Sequence, residues 1–422
     1  MIFLASGFDL SDPYIQIITA SLVIILSYLF GVIAEKTNVP SVLMLIVLGI
    51  LMKEGLDYMH IDLPKDSLMN ALKVLGTVGV IMIVMEAALD LELNKQKYPL
   101  IGKSILIALL ALIVSIFLIA VLFMYTLNMD QITALIYATP LSVMSSAIII
   151  PSIGGLVKHK QEFMVYESAF SDILGIMIFY FLLSFAEDGG MVATYSFIKS
   201  LIITLIISII ASYSLIYIFK DLKGHTRLFL LIAILLFLYA GGKIFFKLYG
   251  ALLIILFFGI ALANHKLFFK MFKREDQRGK EDPIEKIEKE FHLITLETAF
   301  VVRTFFFVVF GLTISLSSLV SLNVFFLSIG VLIILYLARL LLLKIFVGNE
   351  VLPELLIAPR GLITILLFFA IPLNIQNDAF DSGILLYVIM ISSLIMTGGL
   401  IQDSKKPISH EEDELDLHEE GH

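Results

Sequence analysis

Ala134-Leu-Ile-Tyr-Ala-Thr-Pro140-Leu-Ser-Val-Met-Ser-Ser-Ala-Ile-Ile-Ile-Pro151 is an apolar run broken up by prolines and hydroxyl side chains. Inside a bilayer a helix has to satisfy its own backbone. Proline removes a donor, so such a run is tolerable only where polar groups or a cavity replace what is lost. A second run of the same kind, containing Ala358-Pro-Arg-Gly361 and then Pro372, lies far downstream. The reading of these two stretches decides the fold, provided that the chain around them lies in a membrane.

Composition settles that condition. The chain has 422 residues, of which 59% are hydrophobic and only 16% charged, with a mean hydropathy of +1.00. A soluble protein of this make-up would lack the polar surface to cover its core, so an all-α polytopic membrane protein is expected, with the lipid bilayer as its first partner. Net charge is −8 and no basic patch stands out, so nucleic-acid binding is not expected. The absence of cysteine removes disulfides, iron–sulfur clusters and thiolate zinc sites. Asp9 and Asp12 precede the first apolar run where a cleaved signal would carry Lys or Arg.

Apolar runs of bilayer length predict 13 spans, at 14–34, 40–58, 68–91, 101–125, 132–157, 163–186, 197–219, 227–242, 248–263, 293–313, 324–344, 353–372 and 382–402. A polar linker covers 264–292, and an acidic tail, read as solvated and disordered, covers 403–422. In the linker's second half, Ile284, Ile287 and Phe291 form one stripe, as in an interfacial helix. Most Lys and Arg fall in alternate loops and at the C-terminus. The opposite loops carry only Lys53, Lys65, Lys243 and Lys247, which puts the N-terminus outside and the C-terminus in the cytoplasm. Spans 5 and 12 are the discontinuous ones. They are seven apart and so run in opposite directions, as if spans 1–6 and 8–13 were inverted repeats. Matching interruptions in inverted halves point to a transporter's ion site; two plain proline kinks are the competing reading.

Ionisable residues within spans each need a reason, since even lenient scales put the cost at roughly 2.5–3.5 kcal/mol. Glu167 on span 6 and Arg339 on span 11 fall at similar depth and are expected to form a structural ion pair. Asp172 lies deeper, near the midplane, with Ser168 one turn before it and Ser171 beside it. Span 5 can add Thr139, Ser142, Ser145 and carbonyls freed by Pro140. This oxygen set suits a hard monovalent cation. Proton and cation would compete for the same carboxylate; the plainer alternative is a hydrogen-bonded packing residue. Glu86 on span 3 either lines the ion path or pairs with Arg303 on span 10, whereas Asp90 and Glu92 are expected to be solvated. The histidines show no metal-ligand spacing within a span, and no cofactor is expected.

With these residues in hand, the chain resembles the monovalent cation:proton antiporter superfamily, in its NhaP-like sodium/proton exchanger branch. Glu167-Ser-Ala-Phe-Ser-Asp172 is similar to that branch's Glu-Ser-x-x-Asn-Asp element, and Leu337-Ala-Arg339 to its span-11 arginine. Ala358-Pro359-Arg360-Gly361 resembles the element in the second broken helix. Met85-Glu86 resembles the span-3 glutamate motif, and Phe305 to Gly311 the aromatic run ending in glycine. Two positions depart from the pattern: Ser171 stands for the usual Asn, and Ala138-Thr-Pro140 lacks the usual Asp.

The resemblance implies a moving core of about 101–186 and 324–402 against a dimerisation scaffold of about 14–91 and 197–313. It also implies a homodimer in the cell (inner) membrane and elevator-type exchange of Na+, K+ or Li+ for H+. The Ser171-Asp172 pair, in place of two adjacent acids, implies electroneutral exchange. The alternatives are a cation-coupled solute symporter and a transport-inactive sensor; short outer loops disfavour a membrane enzyme.

Overall fold

The computed structural model describes residues 13–37, 39–58, 65–91, 93, 95–219, 227–268, 283–314, 321–349, 351–377 and 379–404. Glu92, much of the linker and nearly all of the acidic tail lie outside them. Among the described residues the regular structure is helical throughout, with no strand, as a chain without a closed barrel requires in lipid.

The helices, in order, are α1 (Pro13–Thr37), α2 (Ser41–Tyr58), α3 (Lys65–Leu89), α4 (Tyr98–Thr126), α5 (Gln131–Ser142), α6 (Ser146–Ile149), α7 (Lys158–Asp188) and α8 (Gly190–Phe219). They continue as α9 (Arg227–Phe245), α10 (Leu252–Ala263), α11 (His265–Phe268), α12 (Pro283–Thr313), α13 (Leu322–Phe346), α14 (Leu362–Phe369) and α15 (Gly383–Ser404). Ten segments are long and apolar enough to cross a membrane, with α5, α6 and the short 3-10 turn that follows counted as one. The expected spans 2, 9 and 12 fall on α2, α10 and α14, which fall short for different reasons. α2 carries Lys53, Glu54 and Asp57, whereas α10 and α14 have only 12 and 8 residues.

One element differs from the expected interfacial helix. No breaker separates Pro283 from the apolar run after it, so α12 is one helix of 31 residues. Ile287 and Phe291 are 3% and 0% exposed, and the Phe291 ring meets Phe258 of α10 edge-on at 6.2 Å. The stripe therefore packs on protein instead of lying in the interface.

Two sets of helices pack closely within themselves. α12 lies against α3 and α2, and α10 against α3 and α8. α4 lies against α5, α7 and α13, and α13 against α15. In lipid there is little hydrophobic drive between helices, so close approach falls to small residues. A Cβ on Gly49 of α2 would sit 2.8 Å from the Cα of Gly311 on α12, so the two backbones touch there. On α8, Thr204, Ser208 and Ser212 donate to the carbonyls of Ser200, Thr204 and Ser208 at 2.6–2.8 Å. That stripe is polar in composition yet internally satisfied, and it faces protein at little cost.

Candidate ion site at the crossing of two broken helices

Asp130 caps α5 by accepting from the Thr133 amide at 3.0 Å. The helix runs through Pro140 and stops at Ser142, after which Val143 to Ser145 are extended. α6 then follows for one turn. The counterpart break runs as non-helical chain from Ile357 to Gly361 before α14 starts. The two breaks satisfy each other. The Ser145 amide donates to the Pro359 carbonyl at 3.0 Å, and Arg360 Nε donates to the Leu141 carbonyl at 2.8 Å. Arg360 Nη1 also donates to the Ala358 carbonyl at 2.6 Å, and the Arg360 amide to Ser392 Oγ at 3.0 Å. A Cβ on Gly361 would lie 2.5 Å from Ser145 Oγ and 2.8 Å from Ile148 Cδ1, so any larger residue at this crossing would have to push those side chains aside. Two backbone groups that the first break leaves open, the Leu141 carbonyl and the Ser145 amide, are thus met from the second.

Asp172 of α7 faces this crossing and is 1% exposed. The Ser146 hydroxyl donates to Asp172 Oδ2, and the Ser146 amide approaches the same oxygen at 3.4 Å. Among the described residues Asp172 Oδ1 and Ser145 Oγ have no hydrogen-bond partner. Ser171 Oγ accepts from the Met144 amide at 3.0 Å, so the residue beside Asp172 holds the broken chain in place. A buried carboxylate oxygen without a donor is costly, and either a proton or a hard cation relieves that cost. The partner that the described residues give Asp172 is Ser146, through a hydroxyl and an amide.

The other residues singled out in the sequence fall nearby but are engaged differently. Thr139 donates to the Leu135 carbonyl at 2.8 Å, Ser142 to Ala138 at 2.9 Å, and Ser168 to Val165 at 3.2 Å. Each hydrogen is spent within its own helix, leaving the oxygen lone pairs as the only groups to offer. Ser146 was not evident from sequence. The signal was there, since it opens the turn after the break, one turn before Pro151. Glu354 was also missed, although it is a charged residue at the start of an apolar run.

Arg339 and Glu167 are 3% and 0% exposed, and they meet through a two-pronged contact. Nη1 donates to Oε1 at 2.5 Å and Nη2 to Oε2 at 2.9 Å. Nε and Nη2 also donate to the Glu354 carbonyl at 3.1 and 2.9 Å. This fork geometry is what makes arginine suitable for a buried pair. A cavity with room for about one water borders Glu167, Arg339, Arg360 and Ser171.

A larger cleft, of about 460 Å³, lies on the other side of α6. Gly31, Pro40, Ala147, Ile148, Phe300 and Arg303 are among its walls, so it reaches the residue next to Ser146. Arg303 Nη1 crosses to the Ala147 carbonyl at 2.7 Å. Glu86 of α3 is 3% exposed, with Arg303 as its strongest opposing charge and Asp90 and His292 close by. Asp90 is itself within 3.1 Å of His292. No group of three or more metal-ligating side chains occurs among the described residues.

The family model described as sodium/hydrogen exchanger, transmembrane, matches residues 20–402. The solved structures similar to this chain include two of one protein. One is the sodium proton antiporter MjNhaP1 from Methanocaldococcus jannaschii at pH 8, 18% identical, with a TM-score of 0.67, covering 92% of this chain and 95% of that one. The other is an electron-microscopy map of MjNhaP1, 19% identical, with a TM-score of 0.65, covering 93% of this chain and 96% of that one. At such identities the likeness is one of fold. No curated protein matches the sequence.

Proposed function

Because the chain belongs to the sodium/hydrogen exchanger family, a family of membrane antiporters and not of enzymes, we propose that it exchanges one monovalent cation for one proton at Asp172. Sodium is the first candidate, followed by potassium and lithium. The antiporter named in the structural likeness carries sodium and protons, which supports this order. The observation that carries the reading is a single one: a buried carboxylate with one unpartnered oxygen, set where two interrupted helices cross.

The coupling follows from charge. With either ion bound, Asp172 is nearly neutral and crosses the apolar barrier; as a bare anion it is held back. One carboxylate that binds either ion, but not both, gives exchange without a strict gate. Since Ser171, the residue before Asp172, is uncharged and no second acid adjoins Asp172, one positive charge moves each way and the cycle is electroneutral. Ser145, Ser146, Thr139, Ser142 and Ser168 supply oxygen around it, and Glu86 draws cations into the cleft. The Glu167–Arg339 pair and the Pro359-Arg360-Gly361 crossing are structural.

In this reading α4–α7 and α13–α15 slide as a core against a scaffold of α1–α3 and α8–α12. The close packing within each set supports the division, and the crossing breaks support inverted repeats over 13 spans. A homodimer would form through the scaffold, where Ile18, Leu22, Ile25 and Leu29 line one exposed stripe of α1. The N-terminus lies outside the cell membrane and the C-terminus inside.

Proteoliposomes with an internal pH dye, given sodium, potassium or lithium in turn, test the proposal. A cation-specific pH change is expected for wild type and none for Asp172→Asn. Folded protein that responds to no cation would sink the antiporter reading, and a net current during exchange would overturn electroneutrality.

A further inference from the structure

Ala147 lies in the one-turn helix α6, where its carbonyl would normally accept from the amide four residues on. That residue is Pro151, which has no N–H. The guanidinium of Arg303 fills the gap at 2.7 Å, and it comes from α12, a helix whose packing is with α2 and α3. The bond therefore ties the two sets of helices together across the cleft, one residue from the Ser146 that holds Asp172. On Arg303's own side, Glu86 is buried, and its Oε2 has no hydrogen-bond partner among the described residues. Asp90 and His292 are the other charged groups near that carboxylate, and they are within 3.1 Å of each other.

We propose that Arg303 is a positioning residue for exchange, alternating between the Ala147 carbonyl when the cleft is open and the Glu86 carboxylate when the core has moved. The inference rests on the moving-core reading above. A sliding α6 carries the Ala147 carbonyl away from α12, and a bare guanidinium among apolar walls would oppose that step. Glu86 stays with Arg303, because α3 and α12 move together, and receives it. The latch thus costs little to open, and it keeps the core from drifting between positions. Glu86 also serves arriving cations best while Arg303 is held at Ala147, since only then is its charge not neutralised.

The partner exchange predicts a suppression pattern that a merely structural role would not give. With Glu86→Gln, Arg303 has nowhere favourable to go. Turnover at saturating cation should then fall about tenfold, the effect of weakening one charge-assisted bond, over and above the loss of apparent cation affinity that follows from removing the charge. Adding Arg303→Gln should restore most of that turnover. The chain has no cysteine, so Gly31→Cys reports the cleft cleanly; a side chain at Gly31 meets nothing within 4 Å. Labelling by a membrane-impermeant maleimide should rise in Glu86→Gln and fall in Arg303→Gln, each compared with the reporter alone. Equal turnover of Glu86→Gln and the double variant, or a lower affinity as the only effect of Glu86→Gln, would overturn the proposal. If labelling of the reporter alone fails to respond to cation, the moving core itself is wrong. If it responds and the variants match it, only the role of Arg303 fails.

Discussion

Replacing Arg339 with methionine is the sharpest probe of how this core is held together. The substitution keeps much of the volume and removes two hydrogen bonds to Glu167, two to the Glu354 carbonyl and two weak ones to the Met144 and Met164 sulfurs. A buried carboxylate that loses the partner of its ion pair costs roughly 3–5 kcal/mol. The stranded Glu354 carbonyl adds about 1–3 kcal/mol. Together these approach the whole stability of an ordinary domain, about 5–15 kcal/mol. Glu167→Gln is milder, because the amide oxygen still accepts from the guanidinium; a loss of roughly 1.5–3 kcal/mol is expected. The double change Glu167→Leu with Arg339→Met removes both charges and leaves only the carbonyl unmet. It should therefore be more stable than Arg339→Met alone by several kcal/mol, a coupling that a double-mutant cycle reads directly. The chain has no tryptophan to report unfolding. The surviving gel-filtration peak after heating in detergent is the suitable assay. An Arg339→Met variant as stable as wild type, or a double variant less stable than it, would refute the reasoning.

Two further outcomes are expected. Ser146→Ala removes the hydroxyl that donates to Asp172, so the apparent cation affinity in proteoliposomes should fall about tenfold, while Ser146→Thr should keep most of it. Asp130 caps α5 outside the span; partial burial, the largest single influence, raises its pKa, but hydrogen bonds from Thr133, Ile132 and its own amide together bring it below the ordinary aspartate value. An acid lowered in the folded state adds stability above its unfolded pKa, near 3.9, and that contribution is lost as pH falls through the folded value. The stability gap between wild type and Asp130→Asn should therefore be constant at neutral pH and close only under strong acid.

Much of this was readable along the chain because membranes make the rules strict. An apolar run of bilayer length has few options, so ten of the thirteen expected spans have a counterpart long and apolar enough to cross a membrane among the described residues. Pro140 and Pro151 marked the first interruption because they cannot donate. What they could not mark was its site. The chain stays helical through Pro140 and opens at Val143, where bonds to Pro359 and Ser171 become available. Those partners are long-range, and no local pattern announces them. The same limit explains Arg303. Its partner is a backbone carbonyl, and carbonyls carry no identity in a sequence. Ser146 escaped notice because a serine in an apolar segment is more often a small packing residue than a ligand's neighbour.

The crossing of the two breaks also constrains when the protein can be finished. Leu141 emerges from the ribosome long before Arg360, its hydrogen-bond partner 219 residues later. At roughly 5–20 residues per second, that interval is about ten to forty seconds. For that time the first half of the molecule sits in the bilayer with an open carbonyl at Leu141 and an open amide at Ser145. Water, lipid headgroups or the insertion machinery must shelter them meanwhile. The candidate site is thus among the later parts of the core to close, and a chain truncated before Pro359 is left with its first interrupted helix unmet from the second.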